Sequence, residues 1–142
     1  MAKLALSIGH TSDALALLAF ASNVNTALGD VYFNASAQFW DTGSQSAQAI
    51  ALSFDLGSSG LENYTGAIAA HLAGDVIDRG THLSTGTLGA RWLLQTLSTS
   101  GRGDVALALA AQTSMPSWGY MVRTGTVCCI ATCCLRDSKS VC

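Results

Sequence analysis

Residues Arg79 to Tyr120 read RGTHLSTGTLGARWLLQTLSTSGRGDVALALAAQTSMPSWGY, and the fold is read outward from them. Two loops of mixed chemistry, Gly80-Thr81-His82-Leu83-Ser84-Thr85-Gly86 and Ser114-Met115-Pro116-Ser117-Trp118-Gly119-Tyr120, flank two short helical stretches. Between them, Thr85 can cap a helix from about Gly86 to Thr99, with Leu88, Trp92 or Leu93, and Leu97 inward. Gly101 ends it, and Asp104 opens a further helix that must stop before Pro116. Loops combining His, Trp, Tyr, Ser and Gly on a helical scaffold are where ligand contacts concentrate, although they name no substrate.

Upstream, the same periodicity continues. A helix capped by Thr11 or Ser12 runs to about Tyr32, with Leu15, Leu18, Ala19 and Ser22 at helical spacing. Residues 34 to 42 form a loop carrying Phe39 and Trp40. Residues 43 to 56 form a second helix with Ala47, Ile50, Ala51 and Phe54 on one face, ended by Gly57. Ser59 and Glu62 have the spacing of a capping box. Leu61, Tyr64, Ile68, Leu72 and Val76 then make one stripe, and Gly80 terminates that helix. No stretch shows strand alternation with turn chemistry. The expected fold is all-α, with short connections and hence antiparallel neighbours.

Composition limits the function classes. The 142 residues suffice for one domain and one core. Apolar residues make up 49% and charged residues 11%, against about 25% charged in an average domain. Helices so poor in charge are covered on more than one side. The net charge of −2 includes no basic cluster, so no nucleic-acid partner is expected. The longest apolar runs, Ala14 to Ala21 and Val105 to Ala111, fall short of a membrane span of roughly 18 residues. The N-terminal stretch, broken by Ser7, Gly9 and His10, does not read as a convincing signal peptide, and the compartment stays open. Sequons at Asn34 and Asn63 matter only in a secreted chain.

All five cysteines, Cys128, Cys129, Cys133, Cys134 and Cys142, fall in the last fifteen residues. Cys129 with Cys133, or Cys128 with Cys134, could offer thiolates to zinc or copper. With no His nearby and no second separated pair, neither a metal nor another cofactor is expected. Residues 126–142 read as a tail foreign to the helical body, as a frameshift, a retained intron or a misplaced exon boundary would produce.

The order His82-Leu83-Ser84-Thr85-Gly86, Gly89, Leu93-Leu94, Leu97-Ser98, Gly101, Asp104 and Pro116-Ser117-Trp118-Gly119-Tyr120-Met121 resembles the late part of the six-hairpin catalytic domain of bacterial-type α-L-rhamnosidases. A weaker likeness reaches back through Gly43-Ser44-Gln45, so the resemblance covers residues 1–125. It implies consecutive hairpins of an (α/α)6 barrel. The five helices visible here would be an incomplete part of that ring. It also implies a rhamnose-containing glycoside as the parent family's substrate, hydrolysed with inversion, with water and carboxylates as the only reagents. Inversion needs two carboxyl groups, held roughly 6.5–9.5 Å apart. In the family, the general acid lies upstream of the matching segment. The general base is the Glu of a Thr-Thr-x-Trp-Glu motif just after the Pro-Ser-Trp-Gly-Tyr-Met element. Here Thr126-Val127-Cys128-Cys129 stands in that place, and no Trp or Glu follows Gly125. No catalytic residue is therefore assigned, and no turnover by this chain alone is expected.

Four residues are candidates for substrate binding: His82, Trp118, Tyr120 and Trp40. His82 can hydrogen-bond a sugar hydroxyl, or brace its own loop near Ser84 and Thr85. Trp118, Tyr120 and Trp40 can stack on a sugar face, or wedge beneath their loops as core. Trp92, mid-helix, reads as packing. Of the carboxylates Asp41, Asp55, Glu62, Asp75, Asp78 and Asp104, none is expected to be catalytic: Glu62 and Asp104 have capping roles, Asp75 and Asp78 form a solvated face, and the Arg102-Gly103-Asp104 triplet reads as a helix start. Two other readings remain: a non-catalytic helical module that binds carbohydrate or protein, and an inert helical body with a metal-binding tail. Helices that lack neighbours would expose apolar stripes and favour self-association.

Overall fold

The computed structural model describes residues 1–57 and 61–125. The Ser59 capping residue and the cysteine tail of 126–142 lie outside the described residues. The described chain is all-α apart from one small hairpin. In order it runs α1 (Ala2–Ser7), α2 (Thr11–Tyr32), β1 (Phe33–Asn34), β2 (Phe39–Trp40), α3 (Gln45–Ser53), a single 3-10 turn (Glu62–Tyr64), α4 (Thr65–Asp78), α5 (Thr87–Thr99), α6 (Gly103–Ala111) and α7 (Trp118–Thr124). The two short strands pair antiparallel, with Phe33 opposite Trp40, where the sequence pattern shows only a loop.

Helices α3, α4, α5 and α6 form the packed body: α3 lies on both α4 and α5, and α6 lies on α5 and α4. Their core is built from Leu72, Val76, Leu93, Leu97, Val105 and Leu109, with Leu83 from the connection before α5. A second cluster joins Trp40, Ala51 and Ile68, with Phe33 and Tyr64 packed beside it. The stripe predicted on α4 is confirmed at Ile68, Leu72 and Val76, all buried. That agreement follows from simple 3.6-residue periodicity in a helix that meets its neighbours along one face.

Three local expectations are corrected. On α3, Phe54 is 54% exposed, and the buried positions are Gln45, Gln48, Ala49 and Ala51. On α5, Leu88 is 80% exposed while Gly89, Leu93, Thr96 and Leu97 face inward. The closest packing there sets the Gly89 backbone against the side chains of Ser46 and Thr85, a seat that glycine fits and leucine does not. The stretch expected as a loop from Ser114 to Tyr120 turns helical at Trp118. Ser117 caps that helix, its hydroxyl accepting from the Tyr120 N–H at 3.1 Å.

Helix α2 stands apart. Ala14 is its buried residue, packed beside α1, while Leu15, Leu18 and Phe20 are exposed. Its C-terminal half is tied to the body through Asn25, which accepts from the Gly57 N–H at 2.6 Å and donates to the Asp55 carbonyl at 3.1 Å. By length and composition alone α2 is long and apolar enough to cross a membrane, a test that counting uninterrupted apolar runs had not met.

Candidate functional site

One end of the bundle collects three connections. The chain between α2 and α3, the chain between α4 and α5, and the chain between α6 and α7 all meet there. Hydrogen bonds demonstrate the grouping. Gln45, in the first turn of α3, donates to the His82 carbonyl at 3.2 Å and accepts from the Ser84 N–H at 2.8 Å. Ser46 donates to the Thr85 hydroxyl at 2.9 Å. Gln112, just past α6, donates to the Gly80 carbonyl at 3.0 Å and the Thr81 hydroxyl at 3.1 Å. The Leu83 N–H reaches the Pro116 carbonyl at 3.3 Å. Helices α3 and α5 thus start at this end, and α4 and α6 finish there.

The backbone at this end is held in unusual conformations. Thr81, a β-branched residue, has φ +59, and Asp41 and Gln38 have φ +50 and +58. A left-handed threonine is costly and persists only where its surroundings fix it, which marks the segment as constrained. Gln112, bonded to the Thr81 hydroxyl and the Gly80 carbonyl, and the Val76 carbonyl, which accepts from the Thr81 N–H at 2.8 Å, hold it there. Gly89 and Gly119 allow the close approaches: a Cβ on Gly89 would collide with Ser46 and Thr85, and one on Gly119 with the Gln112 carbonyl.

His82 is half-buried and has both ring nitrogens engaged. Nδ1 lies 2.9 Å from the Arg79 carbonyl and Nε2 lies 2.9 Å from the Ser114 hydroxyl. A carbonyl only accepts, so the Nδ1–H donates to Arg79, while Nε2 shares a hydrogen bond with the Ser114 hydroxyl. The Ser114 hydroxyl donates its proton to Gln112 Oε1 at 2.8 Å. His82 therefore braces the two loops against each other, and it can bind a sugar hydroxyl only by exchanging Ser114 for it.

The other three candidates divide. Trp118 is half-buried and packs against the main core. Tyr120 is half-buried one turn into α7. Trp40 is only 4% exposed, in the second cluster, with its ring centroid 5.8 Å from that of Phe33. It supports its loop from beneath, the core role weighed for it. The structure thus unites His82 with the connection that leads into Trp118 and Tyr120, and joins Trp40 to them through α3 and α4. Periodicity missed Gln45, Gln48 and Gln112, because a glutamine spent on loop backbone carries no apolar signal, whether buried like the first two or half-buried like Gln112. Three glutamines at helix ends beside loops were the available clue.

The carboxylates are dispersed. Asp75 pairs with Arg79 at 2.9 Å along α4. Asp104 begins α6 at the opposite end, its pKa lowered by the Val105 N–H and by Arg102. Among the described residues no cluster of three or more His, Cys, Asp or Glu stands ready for a metal ion.

With this geometry in hand, comparison with known proteins is decisive. Residues 1–132 match the bacterial alpha-L-rhamnosidase 6 hairpin glycosidase domain. The chain belongs to that family. An alpha-L-rhamnosidase of Streptomyces avermitilis is 39% identical over 82 residues, covering 58% of this chain and 8% of that protein. The crystal structure of a Streptomyces avermitilis alpha-L-rhamnosidase complexed with L-rhamnose superposes with a TM-score of 0.78 at 31% identity, covering 87% of this chain and 12% of the other. The Aspergillus terreus enzyme shares the fold, with a TM-score of 0.79 at 23% identity over 87% of this chain and 14% of its own. The rhamnosidase-family chain thus spans between 8% and 14% of the proteins it resembles. The family match reaches residue 132, seven residues past the expected boundary at 125.

Proposed function

We propose that this chain supplies wall and rim to an α-L-rhamnosidase catalytic domain that hydrolyses terminal α-L-rhamnose with inversion. The observation that carries the proposal is the match to the rhamnose-complexed Streptomyces avermitilis structure, 31% identical over 87% of this chain. The gathering of three connections at one end of the bundle supports it. In this reading His82, Trp118 and Tyr120 line part of the sugar-binding rim, and Trp40 props it from below.

The chain alone does no hydrolysis in this account. No Trp or Glu follows Gly125 where the base motif is expected, and the acid motif has no counterpart. The family match to residue 132 does not alter that reading, because residues 126–132 contain no carboxylate. The cysteine-rich segment remains, in this proposal, foreign to the glycosidase domain. The test is direct. Purified chain is incubated with an aryl α-L-rhamnoside and aryl alcohol release is followed. Release above a heat-denatured control would show that local carboxylates suffice, and would sink the inactivity proposal.

The exposed apolar face of α2, including Leu15, Leu18 and Phe20, fits this reading as a surface that meets further helices of the domain.

A further inference from the structure

Two buried glutamines occupy the first turn of α3, three residues apart, and each is spent on the main chain of a rim loop. Gln45 is 1% exposed and Gln48 is 0% exposed. Gln45 brackets the loop after α4: its Nε2 donates to the His82 carbonyl at 3.2 Å and its Oε1 accepts from the Ser84 N–H at 2.8 Å. Gln48 brackets a single residue of the hairpin: its Nε2 donates to the Trp40 carbonyl at 3.0 Å and its Oε1 accepts from the Trp40 N–H at 3.3 Å. Both amides therefore meet their partners in the pattern of a β-ladder, donor to carbonyl and acceptor to N–H. Two loops distant in sequence are referenced to one rigid helical turn. That turn is itself fixed by its cap, Ser44, whose hydroxyl accepts from the Ala47 N–H at 3.3 Å.

We propose that Gln45 and Gln48 are positioning residues that set the separation of the His82 loop from the Trp40 hairpin, and through it the shape of the sugar-binding rim. The inference rests on the reading of this end as that rim. The side chains suit the task. A buried amide offers one donor side and one acceptor, both of which must be satisfied, so the loop backbone has one low-energy seat. An aliphatic residue of equal length would fill the space but leave the Ser84 and Trp40 amides without an acceptor. Purely structural packing would not require two polar groups at adjacent inward positions.

The experiment uses the full chain and residue-resolved amide hydrogen exchange, with L-rhamnose as the probe. In Gln45→Met, Ser84 should exchange faster by about tenfold or more while Trp40 is unchanged. Gln48→Met should show the reverse. Gln45→Glu keeps an acceptor for Ser84, and should retain its protection where Gln45→Met loses it. In the wild type, millimolar L-rhamnose should slow exchange in residues 81–86, and Gln45→Met should lose that effect. Unchanged Ser84 exchange in Gln45→Met, or equal loss at Ser84 and Trp40 in both variants, would overturn the positioning role. A wild type indifferent to L-rhamnose, with the loop-specific exchange pattern intact, would instead overturn the sugar-binding reading and limit both glutamines to holding the loops.

Discussion

Gly89→Ala and Gly74→Ala are the same chemical change in neighbouring helices, and they should have opposite effects. In a helix interior alanine is favoured over glycine by about 0.5–1 kcal/mol. At Gly74 a new Cβ has nothing within 4 Å, so that gain is realised. At Gly89 the new Cβ would lie 2.8 Å from Ser46 Cβ and would also overlap both hydroxyls of the Ser46–Thr85 pair. Relieving the overlap must move α5 away from α3, at an overpacking cost of about 1–3 kcal/mol. Losing the Ser46–Thr85 bond costs about 1 kcal/mol more, which roughly cancels the propensity gain. The net destabilisation is then on the order of 1–3 kcal/mol. For a chain of this size roughly 4 °C accompanies each kcal/mol. Gly89→Ala should therefore melt roughly 4–12 °C below wild type, and Gly74→Ala roughly 2–4 °C above it. Thermal unfolding followed by helical circular dichroism at fixed concentration reads both. If Gly89→Ala melts at or above wild type, the contact between α3 and α5 described here is wrong.

Two further predictions concern the surface. Asp104 has a pKa lowered by the Val105 N–H and by Arg102. Its contribution is therefore present above the ordinary carboxylate pKa and lost as pH falls through the lowered folded-state value. Asp104→Asn should be less stable than wild type near neutrality, and the two should converge in acid. Urea unfolding across the acid range measures the difference, and a gap that persists below the carboxylate range would contradict the assignment. The exposed stripe of α2, with Leu15 62%, Leu18 52% and Phe20 67% accessible, should drive concentration-dependent association of the isolated chain. Sedimentation should show Leu18→Glu reducing it, and a wild type that stays monomeric at every concentration would count against an uncovered face.

The helical architecture was legible because its strongest element needed no help from context. Ile68, Leu72 and Val76 repeat at helical spacing on α4, and all three are buried. On α3 the rule failed, because Gln45 and Gln48 are buried for the sake of loop backbones, while Phe54 extends outward against Trp92 with ring centroids 4.9 Å apart. On α5 the seat nearest α3 belongs to Gly89, and Leu88 points away. Helix α7 was hidden behind Pro116 and Gly119, which look like loop residues; Ser117 was the cap that could have revealed it. The proposed rim was half legible. The family motifs located His82, Trp118 and Tyr120, but which of their atoms are already engaged depends on contacts across more than thirty residues, such as His82 with Ser114. Trp40 is likewise buried, and no local pattern distinguishes a tryptophan beneath a loop from one above it.

The most direct test of the central claim is a chimera. Residues 1–125 replace the matching segment of the Streptomyces avermitilis alpha-L-rhamnosidase, so that the host supplies the catalytic carboxylates and this chain supplies wall and rim. The chimera is assayed for hydrolysis of an aryl α-L-rhamnoside beside a Gln45→Met version of itself. The account predicts measurable rhamnoside hydrolysis by the chimera, weakened chiefly in KM by Gln45→Met. A chimera that unfolds cooperatively, as the host does, yet neither binds L-rhamnose nor releases aryl alcohol would contradict it.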